Sequence, residues 1–287
     1  MNLWMKRIGL CSLLCVVIGV GYISYLWYLQ PYFIPCNDEV ADYDAADFRH
    51  EFIKSANGSI PVIFTALHGG NFTSGCIRER TGGPDYNSAK TVDAYTVELM
   101  FEILAYLKSE YNLTPSYVYT ALHRKYIDLN RDPSITNAYR DPRLEGFHDA
   151  FYETVESHFA PYQKCLVVDI HGFSPYLLPS SKQDVDVFSG TLEGKTLTSA
   201  SRERLYGDLS QNSVEIWPNA LDQDEYFSGD YNLKRFEKNE KYQGVQLELT
   251  NRIRMTGLSS YDADLRAQVI ANVADYIAWW AAQYDTP

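Results

Sequence analysis

"KCLVVDIHGF", residues 164 to 173, decides how the chain is read. Cys165 to Val168 form a short, unbroken apolar run set between polar segments, the pattern of a strand buried on both faces. The run then turns polar at Asp169 and His171. Two residues apart in an extended chain, they project to one side, where a carboxylate can orient an imidazole or share its metal. A buried structural Asp-His pair is the alternative reading of these two residues taken alone.

Working outward, "PVIFTAL" (61 to 67), "PSYVYTAL" (115 to 122) and "VQLEL" (245 to 249) are similar runs, rich in β-branched and aromatic residues. Between them Val92, Tyr95, Leu99, Ile103 and Tyr106 recur at helical spacing, and Leu265, Val269, Val273, Ile277 and Trp280 mark a C-terminal amphipathic helix. Strands alternating with helices predict an α/β domain over residues 59 to 287, with a mixed, mostly parallel central sheet and helices on both faces. In such sheets ligands bind beyond the carboxyl ends of the strands, so the polar groups there matter most.

Four such ends carry chemistry. "LHGG" places His68 before Gly69 and Gly70, which let the backbone turn without a Cβ clash and bring the imidazole close to a ligand; a satisfied turn histidine is the alternative. "VVDIHGF" offers Asp169 and His171. "VQLELTNRIR" sets Glu248 inside an apolar run, where a carboxylate has to be paired, neutral or functional, so it is a candidate general base or one half of a salt bridge. "HRKYIDLNR" (123 to 131) offers the planar forks of Arg124 and Arg131, suited to a carboxylate or a developing oxyanion, with the Asn130 amide beside them.

Bulk composition narrows the partners. Against 25 Lys+Arg the chain carries 37 Asp+Glu, a formal net charge of -12, which argues against a nucleic-acid partner. Ile8 to Leu29 is free of charge and long enough to span a bilayer as a helix, with Lys6 and Arg7 before it. We therefore expect a cytoplasmic stub (1 to 7), a transmembrane signal anchor (8 to 29), a linker (30 to 58) and an extracytoplasmic domain, secreted if the segment is instead cleaved. Sequons at Asn57, Asn71 and Asn112 fit a glycoprotein. Of the cysteines outside the span, Cys36 and Cys76 are the expected disulfide pair, leaving Cys165.

In combination and order, "LHGG" (67 to 70), "HRKYIDLNR" (123 to 131), "VVDIHGF" (167 to 173) and "FSGDYNLKRF" with "GVQLELTNRIR" (227 to 254) resemble the N-formylglutamate amidohydrolase family, relatives of the zinc carboxypeptidases and aspartoacylases. The resemblance covers roughly residues 60 to 280. It implies a zinc-exopeptidase-like hydrolase cleaving an amide beside a carboxylate-bearing group, with one Zn²⁺ held by His68, His171 and a carboxylate. The related carboxypeptidases place that carboxylate three residues after the first histidine, where this chain has Asn71; Glu79 is the preferred substitute and Asp93 the runner-up. By the same resemblance Glu248 is the general base, Arg124 stabilises the oxyanion, Asn130 and Arg131 hold the substrate carboxylate with Arg252 as a further contact, and Asp128 and Asp169 orient an arginine and His171. The departure at Asn71 leaves open a second class, a membrane-tethered binding domain that kept the fold without turnover.

Overall fold

The computed structural model describes residues 32–34, 38–81, 90–134, 137–237 and 239–284. The first half of the domain comprises β1 (Tyr32–Ile34), α1 (Ala45–Phe52), β2 (Ile53–Ala56), β3 (Val62–Ala66), β4 (Phe72–Ser74), α2 (Thr96–Tyr111), β5 (Ser116–Thr120) and α3 (Phe147–Phe159). Then follow β6 (Cys165–Phe173), β7 (Val187–Gly190), α4 (Ser199–Leu209), β8 (Ile216–Trp217), α5 (Tyr231–Phe236), β9 (Tyr242–Thr250), α6 (Asn251–Arg254) and α7 (Ala263–Tyr284).

Among the described residues, seven strands form one sheet in the order β2-β5-β3-β6-β9-β7-β8. The contiguous block β5-β3-β6-β9 is parallel, β2 pairs antiparallel with β5, and β7 pairs antiparallel with β9. The four runs read from the sequence are these four parallel strands, and β3, whose five residues are all buried, shows why they read as continuous apolar text. Alternation along the strands separates two cores. Phe64, Leu166, Val168, Val245 and Leu247 face α2, α4 and α7, whereas Ile63, Val118 and Val167 face α1, α3 and α5. The mixed sheet with helices on both faces is therefore as the periodicities predict.

The linker expected over residues 30 to 58 does not hold from residue 44 onward. Asp44 and Asp47 form a reciprocal capping box at the start of α1, and Phe48 and Phe52, one turn apart, are 0% and 3% exposed. These two acids mark a helix start, and the helix leads directly into edge strand β2. Residues 8 to 29 lie outside the described residues; among those described, no helix is long and apolar enough to cross a membrane. β1 pairs in parallel with β4, from Tyr32 opposite Phe72 to Ile34 opposite Ser74. Cys76, just beyond β4, is disulfide-bonded; its expected partner Cys36 is outside the described residues. Cys165 is free and buried, and burial pushes its thiol up to about 12, which leaves it inert.

Candidate active site

The polar ends of β3, β5, β6 and β9 converge. His68 follows β3 by two residues, and Gly70 after it has no room for a side chain: a Cβ would lie 2.5 Å from the Thr120 carbonyl and 2.4 Å from that of Leu122. A Cβ on Gly69 would meet the Thr96 hydroxyl at 2.5 Å, so the bare backbone lets the start of α2 settle onto this turn. Asp93, in the loop before α2, is held there by its own backbone. Its N–H donates to the His68 carbonyl (2.9 Å), and its carbonyl accepts from the Thr96 N–H and hydroxyl.

Three donor atoms meet as a result. A ring nitrogen of His68, an Asp93 carboxylate oxygen and a His171 ring nitrogen lie within 4.8 Å of one another, all three residues buried. Asp93 Oδ2 is 3.1 Å from His171 Nδ1 and 3.4 Å from His68 Nδ1, and the latter nitrogen, though buried, makes no hydrogen bond. The opposite nitrogen of each ring faces a carboxylate: His68 Nε2 is 2.7 Å from Asp128 Oδ1, and His171 Nε2 is 2.9 Å from Asp169 Oδ2. These contacts fix both imidazoles with Nδ1 turned inward, the arrangement in which histidines hold a metal. Two nitrogens and a carboxylate oxygen match the donors that zinc takes when a fourth position stays open.

Glu79, the preferred carboxylate in the sequence reading, is not part of the site. It is exposed and pairs with Lys125 at 3.1 Å and Lys90 at 3.5 Å. Asp93, the runner-up, stands beside the two histidines instead, brought there by the loop before α2 rather than from three residues after His68. Glu248 lies opposite His171 in the β6–β9 register, with Oε1 3.9 Å from His171 Nδ1 and accepting from Gln246 Nε2 at 3.0 Å. Asp169 is steadied by the Thr65 hydroxyl at 2.7 Å.

Asp128 gathers the arginines. Its Oδ2 is 3.2 Å from Arg124 Nε, 2.9 Å from Arg131 Nε and 3.3 Å from Arg80 Nη1. Arg124 Nη1 also approaches Asp93 Oδ1 at 3.8 Å. Among the described residues the terminal nitrogens of Arg131 have no partner, so that guanidinium is held by its Nε while its outer edge stays available. Asn130 is not a free donor. Its Nδ2 donates to Gln246 Oε1 (3.3 Å) and its Oδ1 accepts from the Asn232 N–H (3.0 Å), so it steadies the side chain that bonds Glu248. Arg252 makes none of these contacts; it is half-exposed and 3.5 Å from Asp186. Its neighbour Arg254 is the one built in: buried, it donates to the carbonyls of Leu249 (2.9 Å), Phe173 (3.3 Å) and Ala94, joining the ends of β9 and β6 to the loop that carries Asp93.

Burial opposes ionisation of Asp93, but the hydrogen bond from His171, with His68 and Arg124 alongside, holds its carboxyl well below the usual range. Asp128 is held down in the same way, against burial, by His68, Arg124 and Arg80. Glu248 moves the other way: burial pushes it up, the negative charge of Asp93 adds to the rise, and His171 partly offsets it. One carboxylate that stays ionised beside one that binds a proton more readily is the pairing that separates a ligand from a base.

No family model and no curated protein matches the sequence. Among solved structures, N-formylglutamate amidohydrolase from Ralstonia eutropha JMP134 has a TM-score of 0.58 at 14% identity, over 81% of this chain and 98% of that one. A gene product of Agrobacterium tumefaciens has a TM-score of 0.53 at 15% identity, over 81% of this chain and 94% of that one. The fold of this chain is thus similar to that of N-formylglutamate amidohydrolase, the family its motifs resemble.

Proposed function

We propose that the protein is a zinc-dependent hydrolase that cleaves an amide next to a carboxylate-bearing group, as an N-acyl amino acid deacylase or a carboxypeptidase-like enzyme. The observation that carries this reading is the convergence of His68, Asp93 and His171, one donor atom from each within 4.8 Å, each imidazole backed by its own carboxylate, with Glu248 at the edge. These three residues would hold a zinc ion, which would supply Lewis acidity toward a carbonyl and make water more acidic.

The chain's own residues do the rest. Glu248, its affinity for a proton raised by burial, accepts the proton from the attacking water and delivers it to the leaving nitrogen, so amide and water become an acid and an amine. Arg124, beside Asp93, is placed to stabilise negative charge developing on the carbonyl oxygen. The outer edge of Arg131 offers two donors to the substrate carboxylate. Asn130 acts through Gln246 on Glu248 rather than on substrate, and Arg252 has no part in this scheme.

The departure at Asn71 favours a binding domain without turnover; the position of Asp93 beside both histidines supports the hydrolase reading over it. The exported, membrane-anchored placement rests on residues 8 to 29 and is supported by the disulfide at Cys76, which fits an oxidising compartment. Asn57, Asn71 and Asn112 are all exposed, as glycan acceptors have to be, although the Asn57 side chain also contacts the His158 ring.

Metal analysis of the purified full chain tests the reading, followed by a screen against N-acyl amino acids and short peptides with free or blocked C-termini. We expect near-stoichiometric zinc, lost in His68→Ala, His171→Ala and Asp93→Ala but kept in Glu79→Ala. A folded wild-type protein that takes up no metal overturns it.

A further inference from the structure

Strand order gives the site two unlike flanks. On the β5 side stand Arg124 and Arg131. On the other side, beyond β9, lie β7 and β8, and there a third apolar cluster forms apart from the two helix-covered cores: Phe173, Leu178 and Phe188, with Val185, Trp217 and Phe227 packed against them. Its members come from strands and loops; no described helical residue belongs to it.

This cluster adjoins the proposed general base. Phe188 is the direct partner of Glu248 in the β7–β9 register, and directly opposed residues of an antiparallel pair share one face at about 5 Å. Phe173 follows His171 by two residues on β6, hence on the same face again. The rings form a connected shelf: Phe173 to Phe188 at 5.1 Å, Phe188 to Phe227 at 5.2 Å, Phe188 to Tyr226 at 5.5 Å and Tyr226 to Phe227 at 4.9 Å between centroids. Its outer edge is open: Tyr226 is 42% exposed, and Tyr176 and Leu177, immediately before Leu178, are 81% and 84% exposed.

We infer that the substrate's acyl side carries an aromatic ring or a similarly bulky apolar group that seats against this shelf. The inference rests on the hydrolase reading above. A substrate whose carboxylate meets Arg131 and whose amide lies at the histidines and Glu248 directs its acyl group across β9 toward Phe188. A formyl or acetyl group is too small to reach the shelf, and would leave the apolar edge facing water. An aryl group covers it, contributing apolar burial and ring contacts on one side of the scissile bond only. The site then discriminates by two chemistries at once: charge on the amine side and aromatic surface on the acyl side.

The test uses the zinc-loaded full chain and the common amino acids, each bearing a formyl, acetyl or phenylacetyl group. We expect kcat/KM for the phenylacetyl series to exceed that for the acetyl series by about tenfold or more, the scale of discrimination an apolar pocket provides. Tyr226→Ala should collapse that ratio, while Tyr226→Phe, which keeps the ring, preserves it. Equal rates across the series, or a ratio unmoved by Tyr226→Ala, overturn the shelf. Calorimetry with the free acids separates its failure from that of the hydrolase reading. If no amide is cleaved, the hydrolase reading fails; phenylacetate binding at least about tenfold tighter than acetate, with the difference lost in Tyr226→Ala, still upholds the shelf, and equal binding of the two acids rejects it.

Discussion

At the scale of single residues, the site divides into groups that local sequence announces and groups that only tertiary structure supplies. His68, His171, Glu248 and Arg124 each sit where an apolar run meets polar residues, and the rule that ligands gather at strand ends points to them, whereas Asp128 enters only through the family resemblance. Asp93 is harder, because its approach to His68 depends on a backbone bond to the His68 carbonyl and on the space above Gly69; Glu79 looks as good on spacing and lies on the surface. Arg254 was visible beside Arg252, yet nothing in the sequence says which of the two turns inward. For Glu248→Gln we expect hydrolysis to fall by roughly 10²- to 10⁴-fold with zinc retained, because a base is removed and no ligand is; turnover at the wild-type rate would remove Glu248 from that role. Arg254→Lys keeps the charge but loses the fork that spans three carbonyls, so zinc affinity, read by chelator competition, should weaken about tenfold, as when the supports of metal ligands are removed.

At the scale of elements, the strands buried on both faces were legible and the edges were not. β2, β7 and β8 have four, four and two residues, too few to show a period, and β7 reveals itself only through its register with β9. The segment read as a linker shows how composition misleads: its acids cap α1, and the two phenylalanines that matter are one turn apart in a polar context. Phe48 is fully buried among Tyr43, Phe52 and the Arg143 guanidinium. Phe48→Ala should therefore cost about 3 to 5 kcal/mol of unfolding free energy, measured by denaturant titration, as expected for a large ring deleted from a packed core. A true linker would give almost no change.

At the scale of the whole molecule, the protein is expected to lose stability in acid through buried histidines other than His68 and His171. His148 is buried beside Tyr139, Tyr152 and Tyr231, and burial lowers its pKa to about 4. The folded state thus takes up this proton less readily than the unfolded chain does. The stability associated with neutral His148 is fully present above the ordinary value near 6.5 and is lost as pH falls toward 4, by about 1.4 kcal/mol per unit, or roughly 3 kcal/mol in all. Urea midpoints measured at pH 7 and pH 4.5 should differ less in His148→Phe than in the wild type; an equal difference would assign the acid sensitivity elsewhere. His123, also lowered to about 4 by burial, works in the same direction.

Gly172 and Arg254 carry a consequence that reaches past this one chain. A Cβ on Gly172 would lie 2.1 Å from the centre of the Arg254 guanidinium, so any side chain at 172 and the arginine at 254 exclude each other. In divergent descendants the two positions should therefore mutate as a pair: lineages that lose the arginine become free to fill position 172, and those that keep it hold glycine there. Comparing relatives at these two sites alone would reveal that linked inheritance.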